Sequence, residues 1–181
     1  MVLLSATVRF CALVAALASA SLQAVAQPTL ENDVKATFLY NFTKFVEWPP
    51  SAGDETFRVC AVADAAFVAS LDRTLANESI EGRQLVRLDP RSAEEARHCA
   101  ILYVGSGYAE RGAPLLAAVR DLPVLTVGEG PQFLKQGGTI RFFLDNNRVR
   151  FDISLRAAQR SGLKVSSKLL RVARTVEGET Q

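Results

Sequence analysis

Along residues 30–46 the apolar positions Leu30, Val34, Phe38, Phe42, Phe45 and Val46 recur at helical spacing, and Pro49 and Pro50 stop the run. Beyond the prolines the period changes. Residues 57–63 alternate and carry β-branched positions, which predicts a strand, and residues 65–75 return to helical spacing. The order then repeats. A strand over 84–88 leads to a helix opened by Asp89-Pro90, where Ser92 stands three before Glu95 as a capping pair. A strand over 100–104, a helix around 113–120 and a strand over 124–127 follow. Alternation of this kind with short connections predicts one α/β domain, a mostly parallel sheet flanked by helices on both faces.

After Gly137-Gly138 the pattern becomes two apolar strands, 139–144 and 149–153, joined by Asp145, Asn146 and Asn147, residues that tolerate a hairpin turn. An antiparallel C-terminal hairpin is therefore expected at one edge of the sheet. A short helix over 154–160 and a last one over 166–174 complete the chain. The last has Val165, Leu169, Val172 and Ala173 on one face and Lys164, Lys168, Arg171 and Arg174 on the other. A solvated face is the plain reading of that basic stripe.

Aromatic and apolar residues crowd two places. Phe38, Tyr40, Phe42, Phe45 and Trp48 share the first helix, and Ile140, Phe142, Phe143, Phe151 and Ile153 share the hairpin. One helical stripe does not bury Tyr40 and Trp48 together with Phe38 and Phe42, so these positions read either as core or as a surface for a partner. An edge hairpin likewise invites strand addition or dimerisation, with Arg141, Arg148 and Arg150 as charged guards. The expected partner or dimer surface comprises Tyr40, Trp48, Ile140, Phe142, Phe151, Arg150, Lys168 and Arg171.

The N-terminus changes the arithmetic. Residues 1–26 hold one basic residue, Arg9, no acidic residue, an apolar run over 10–18, and Ala24 and Ala26 flanking Val25. This is the pattern of a secretory signal cleaved before Gln27, and its apolar core is shorter than the ~20 residues that cross a bilayer. Removing 26 of the 181 residues leaves 155 in the mature domain, residues 27–181, and places it, soluble, in the periplasm. Of three cysteines, Cys11 leaves with the signal, so Cys60 and Cys99 remain in an oxidising compartment. They read as a structural disulfide or as a redox or metal pair, although they form no CxxC and only His98 is near. The whole chain carries 21 Lys and Arg against 19 Asp and Glu. That balance provides no global positive field for nucleic acid.

Catalytic chemistry finds little support. His98 is the one histidine, without a nucleophile motif around it. Asp33 and Glu47 stand 14 residues apart on the first helix, about 21 Å along its axis, too far to act together. Gly105-Ser106-Gly107 and Gly128-Glu129-Gly130 follow strands, where α/β sheets gather ligands, which makes Ser106 and Glu129 pocket candidates. Neither has the Walker lysine or the full dinucleotide fingerprint, and ordinary turns are the alternative reading. No enzyme, cofactor or metal site is expected.

Read as strings, residues 35–49 (KATFLYNFTKFVEWP), FRVCAVAD, HCAILYVG, VLTVGEG and residues 136–173, beginning QGGTIRFFLDNNRVRFDISLRAAQRSG, resemble the YfiR family of periplasmic regulators, in that family's order. The resemblance implies an α/β domain that commonly forms a homodimer. It also implies binding to the periplasmic sensor region of a membrane diguanylate cyclase of the YfiN type, which holds the cyclase inactive. An outer-membrane lipoprotein of the YfiB type is the implied sequestering partner, and lower cyclic di-GMP and less biofilm the implied output. The family's internal disulfide falls on Cys60 and Cys99. A second cysteine pair found in some members is missing around the Gly-Gly segment, where this chain has Leu134 and Arg141. A periplasmic small-ligand sensor is the alternative function.

Overall fold

A computed structural model describes residues 26–50 and 55–178. The expected signal segment therefore lies outside the described residues except at Ala26. Helix α1 (Ala26–Phe45) leads into β1 (Val46–Glu47), and the expected strand follows as β2 (Thr56–Val62). Next come α2 (Ala65–Leu75), β3 (Ser79–Ile80), β4 (Arg83–Leu88), α3 (Ala93–Arg97), β5 (Ile101–Val104), α4 (Ala109–Val119) and β6 (Leu125–Glu129). The hairpin is β7 (Ile140–Asp145) and β8 (Arg148–Ser154), followed by α5 (Leu155–Arg160), β9 (Lys164–Val165), α6 (Ser167–Val172) and β10 (Thr175–Glu177).

Eight strands form one sheet in the order β10-β8-β7-β6-β5-β2-β4-β3, and β1 pairs with β9 apart from it. The five strands β4, β2, β5, β6 and β7 run parallel, β8 turns back on β7, and β10 adds outside the hairpin parallel to β8. The chain moves from β2 to β4 on one side and then to β5 on the other. The sheet order therefore reverses between β2 and β5, the position where open α/β sheets form a crevice beyond the strand C-termini.

Local chemistry explains the element ends. Asp64 caps α2 by accepting from the Phe67 amide at 2.8 Å, and Ser92 caps α3 by accepting from the Glu95 amide at 3.2 Å. The hairpin turn rests on Asn146 and Asn147 at φ 50° and 58°, the left-handed region asparagine tolerates.

Each face of the sheet carries its own core. On one face, Ala36, Leu39 and Phe42 of α1 and Phe67, Leu71 and Leu75 of α2 meet Phe57, Val59, Ile101, Leu125, Val127, Ile140, Phe142, Phe151 and Ile153. On the other, Ala96, Leu115 and Val119 from α3 and α4 meet Cys60, Val62, Leu102 and Val104. Strand alternation sorts the residues, so Val59 and Ala61 belong to the first core while Cys60 and Val62 belong to the second. Cys60 and Cys99 form a disulfide within the second core, with Cα atoms 5.8 Å apart, joining β2 to the turn between α3 and β5. Closing a loop of sequence separation 39 limits the unfolded chain by about 4 kcal/mol in the loop-entropy model.

Candidate functional site

The crevice at the sheet reversal is a cavity of about 570 Å³. Its walls come from the start of α1 (Glu31, Asn32, Lys35), the turn after β2 (Ala63, Asp64), the end of β5 and its loop (Tyr103, Gly105, Ser106), the end of β6 (Glu129, Gly130) and the outer half of β7 (Arg141 to Leu144). The two pocket candidates, Ser106 and Glu129, are thus brought into one cavity. Gly105 sits where the β2 and β5 ends converge: a Cβ there would stand 3.2 Å from Ala63 Cβ.

A buried ionic network forms the floor. Lys35 is 5 % exposed. Its ammonium reaches Glu129 Oε1 at 2.9 Å and also contacts Glu31 one turn earlier on the same helix. The hydroxyl of Tyr103 donates to the same Glu129 oxygen, and the Tyr103 ring stacks on Phe67 with centroids 4.2 Å apart. Burial, the largest influence on Lys35, pulls its pKa down, but the hydrogen bonds and charges of Glu31 and Glu129 exceed it and leave the pKa raised. Burial first, and then the Glu129 charge, push the Tyr103 hydroxyl well above the ordinary phenol range. Both groups therefore stay protonated, and Glu129 accepts from donors on α1 and β5.

A second polar pair lies on β7 and β8. Arg141 donates to Asp152 across the hairpin and its guanidinium stands 5.2 Å from the Phe143 ring centroid. Arg141 Nε and Asp152 Oδ1 are buried without a hydrogen-bond partner. Such orphaned atoms mark a network that is incomplete within the described residues.

The expected contact surface divides. Ile140 (0 %), Phe142 (1 %) and Phe151 (2 %) are fully enclosed, so they are core residues, which corrects the expectation that they face a partner. The reason is alternation: Ile140, Phe142, Phe151 and Ile153 point to the face covered by α1, where Phe38 and Phe42 pack on Phe142 and Phe151 at centroid distances of 5.3 to 5.9 Å. Tyr40 and Trp48 are half-buried, and their polar groups are used within the chain. The Tyr40 hydroxyl donates to Glu78, Lys44 stands over its ring, and the Trp48 indole donates to the Ala100 carbonyl at 3.1 Å while its ring edge meets Phe57. Arg150, Lys168 and Arg171 are exposed, and Leu144 and Val172 are the apolar residues left open on the same segments, at 51 % and 62 %.

Lys35 escaped the sequence reading because a lysine on an amphipathic helix looks solvated. The available signal was its place one residue from the apolar stripe, on the inward side with Ala36 and Leu39. His98 lies exposed, 3.6 Å from Glu94. Among the described residues no helix is long and apolar enough to cross a membrane, and no group of three His, Cys, Asp or Glu could hold a metal ion.

Two solved structures share the fold. One is a conserved domain protein from Vibrio cholerae, at 12% identity and a TM-score of 0.54. The other is the ABC domain in complex with L-Trp from Streptococcus pneumoniae, at 10% identity and the same TM-score. Each match covers 81% of this chain, and the chain spans 60% of the length of either structure. No curated protein sequence matches the chain. A family model described as YfiR/HmsC-like matches residues 32–174, from the first turns of α1 through the end of α6. With that span, the chain belongs to the YfiR/HmsC-like family.

Proposed function

We propose that the mature chain is a periplasmic regulator that binds the sensor region of a membrane diguanylate cyclase of the YfiN type and holds it inactive, lowering cyclic di-GMP and biofilm formation. Membership of the YfiR/HmsC-like family over residues 32–174 is the observation that carries this reading. The fold is consistent with regulation by contact, since Lys35 and Tyr103 in the network at the sheet edge both have raised pKa values and keep their protons rather than being poised for proton transfer. Export is part of the proposal and rests on the composition of residues 1–26. A YfiB-type lipoprotein as sequestering partner and a homodimer as the working form belong to it as well.

The mechanism is a population shift. A regulator that binds the inactive sensor conformation better than the active one by about 1.4 kcal/mol changes their ratio tenfold. With Ile140, Phe142 and Phe151 enclosed, the contact falls on what the hairpin and α6 leave open: Arg150, Lys168 and Arg171 around Leu144 and Val172, the aromatic-poor but Arg-rich margin of an interface. Deleting the gene should raise cyclic di-GMP, and a tagged mature chain should retain a membrane cyclase on affinity resin. Unchanged cyclic di-GMP with no cyclase retained would defeat the reading. N-terminal sequencing of exported protein should begin at Gln27.

A second reading, a small-ligand sensor, is favoured by one observation, the cavity of about 570 Å³ at the sheet reversal with its charged floor. A ligand that occupies it should raise Tm with concentration.

A further inference from the structure

The near-zero net charge conceals a strong polarity along the chain. Between residues 135 and 178 stand 10 Lys and Arg against three acidic residues, Asp145, Asp152 and Glu177. Three of these cations share one depression. Lys135, on the loop between β6 and β7, and Arg156 and Arg160, on α5, line a cavity of about 370 Å³ in which Glu177 is the one carboxylate among the described residues.

The depression is built rather than incidental. Arg160 is fixed by donating from Nη2 to the Gly137 carbonyl at 3.2 Å, and its Nε stands 3.5 Å from the exposed Asp121. Gly178, at φ +90°, lies so close to α5 that a Cβ would stand 3.3 Å from the Arg156 amide nitrogen, so this glycine packs against that helix at the edge of the depression. Lys135 and Arg156 make no hydrogen bond or ion pair among the described residues. Three cations converging on one concavity, lined by a single carboxylate among the described residues and with Asp121 reaching Arg160 alone, raise each other's energy, and a concave wall focuses their field outward. An anion with several oxygens relieves this, and the arginine fork matches phosphate oxygens in pairs.

We propose that this depression binds a phosphate-class anion, supplied either as a soluble phosphate or as the headgroup of an anionic phospholipid. Arg160 is the preset wall, and Lys135 and Arg156 are the two donors whose side chains have no partner among the described residues. The site stands apart from the cavity at the sheet reversal and does not depend on which protein the chain regulates.

The test uses the whole mature chain. Inorganic phosphate is titrated by calorimetry at constant ionic strength, and sedimentation is measured with phosphatidylcholine vesicles with and without phosphatidylglycerol. The wild type should bind phosphate, the phosphatidylglycerol vesicles, or both, more weakly as salt rises. Binding to phosphate alone identifies a soluble ligand, and binding to the anionic vesicles alone identifies a headgroup. At roughly fivefold per cation near an anionic surface, Lys135→Glu with Arg156→Glu should weaken vesicle binding by at least about 25-fold. Arg91→Glu with Arg97→Glu, an equal change of charge on and beside α3, should weaken it by no more than about threefold, and both double variants should keep the wild-type far-UV spectrum. Lys135→Gln with Arg156→Gln should give an intermediate loss. The proposal is overturned if neither probe binds, if retention is equal on vesicles without phosphatidylglycerol, or if the Lys135 and Arg156 variant binds like the wild type. It is also overturned if the α3 control loses as much, or if the substitutions spare both probes and abolish capture of an acidic protein partner.

Discussion

Lys35→Met tests whether the floor of the sheet-edge cavity stabilises the fold. The ammonium lies 2.9 Å from Glu129 and also against Glu31, with side-chain exposures of 6 %, 15 % and 31 % for the three groups. At an effective dielectric of about 20, the Lys35–Glu129 attraction is roughly 6 kcal/mol, with a similar amount from Glu31. Desolvation of the ions offsets most of that. Methionine keeps the volume but leaves Glu129 facing Tyr103 with its cation gone, while both carboxylates regain some water. The expected net loss is about 3 kcal/mol, at the lower end of what breaking a buried pair costs because neither carboxylate is fully enclosed. In urea, with a slope of about 2 kcal/mol/M, the midpoint should fall by about 1.5 M. Glu129→Gln alone should cost less, and the double variant should lose at least about 1 kcal/mol less than the two singles summed, since they share one interaction. The pH arm has a defined sign. Lys35 and Tyr103 both have pKa values raised above 10.5 and 10.0, so the folded state holds protons that the unfolded chain releases above about pH 10. Their stabilisation is complete below that pH and is lost as pH rises toward the folded values. The wild type should therefore lose stability above pH 10 more steeply than Lys35→Met. A loss below about 1 kcal/mol, or strict additivity in the double variant, would refute the network.

Three further outcomes are expected. Cys60→Ala with Cys99→Ala should lower stability by about 4 kcal/mol, and reductant should bring the wild type down to the same value while leaving the variant unchanged. Gly128→Ala should cost roughly 1–3 kcal/mol, because its Cβ would stand 2.3 Å from the Phe133 ring, which lies between Gly128 and Gly138; in a Phe133→Ala background the same change should cost much less. Trp48→Phe should cost about 1 kcal/mol by removing one of the two hydrogen bonds to the Ala100 carbonyl, which keeps the Leu125 amide, measured by circular dichroism since Trp48 is the single tryptophan.

The order of elements was legible because each long element has its own period. Residues 57–63, 65–75 and 140–153 announce strand, helix and hairpin through alternation, 3.6-residue spacing and an Asp-Asn-Asn turn, and the structure places all three there. The two- and three-residue strands β1, β3, β9 and β10 carry no period of their own. They exist because partners elsewhere in the chain offer unpaired backbone, as Asp152 to Ser154 do for Thr175 to Glu177. The misassigned hairpin residues were decidable in principle. In a two-stranded element Ile140, Phe142, Phe151 and Ile153 fall on one side and Arg141, Phe143, Arg150 and Asp152 on the other, so reading alternation before aromatic density turns the first set inward.

Charge shows the limit from the other side. Composition reports the sum of charges, and a sum near zero excludes steering by a uniform field but not by a divided one. Lys35 and Arg156 illustrate the two ways position replaces count. Lys35 became structural because folding brought Glu129 to it from the end of β6, and its charge is spent within the molecule. Arg156 stands on α5 beside Lys135 and Arg160 with no ion pair to a carboxylate among the described residues, so its charge remains available outward. Identical residue types thus separate into stability and recognition by one physical criterion, whether the fold delivers a counter-charge. That criterion is invisible along the chain because every deciding neighbour comes from another element, and it predicts that substitutions at Lys35 change stability first while substitutions at Arg156 change binding with stability unchanged.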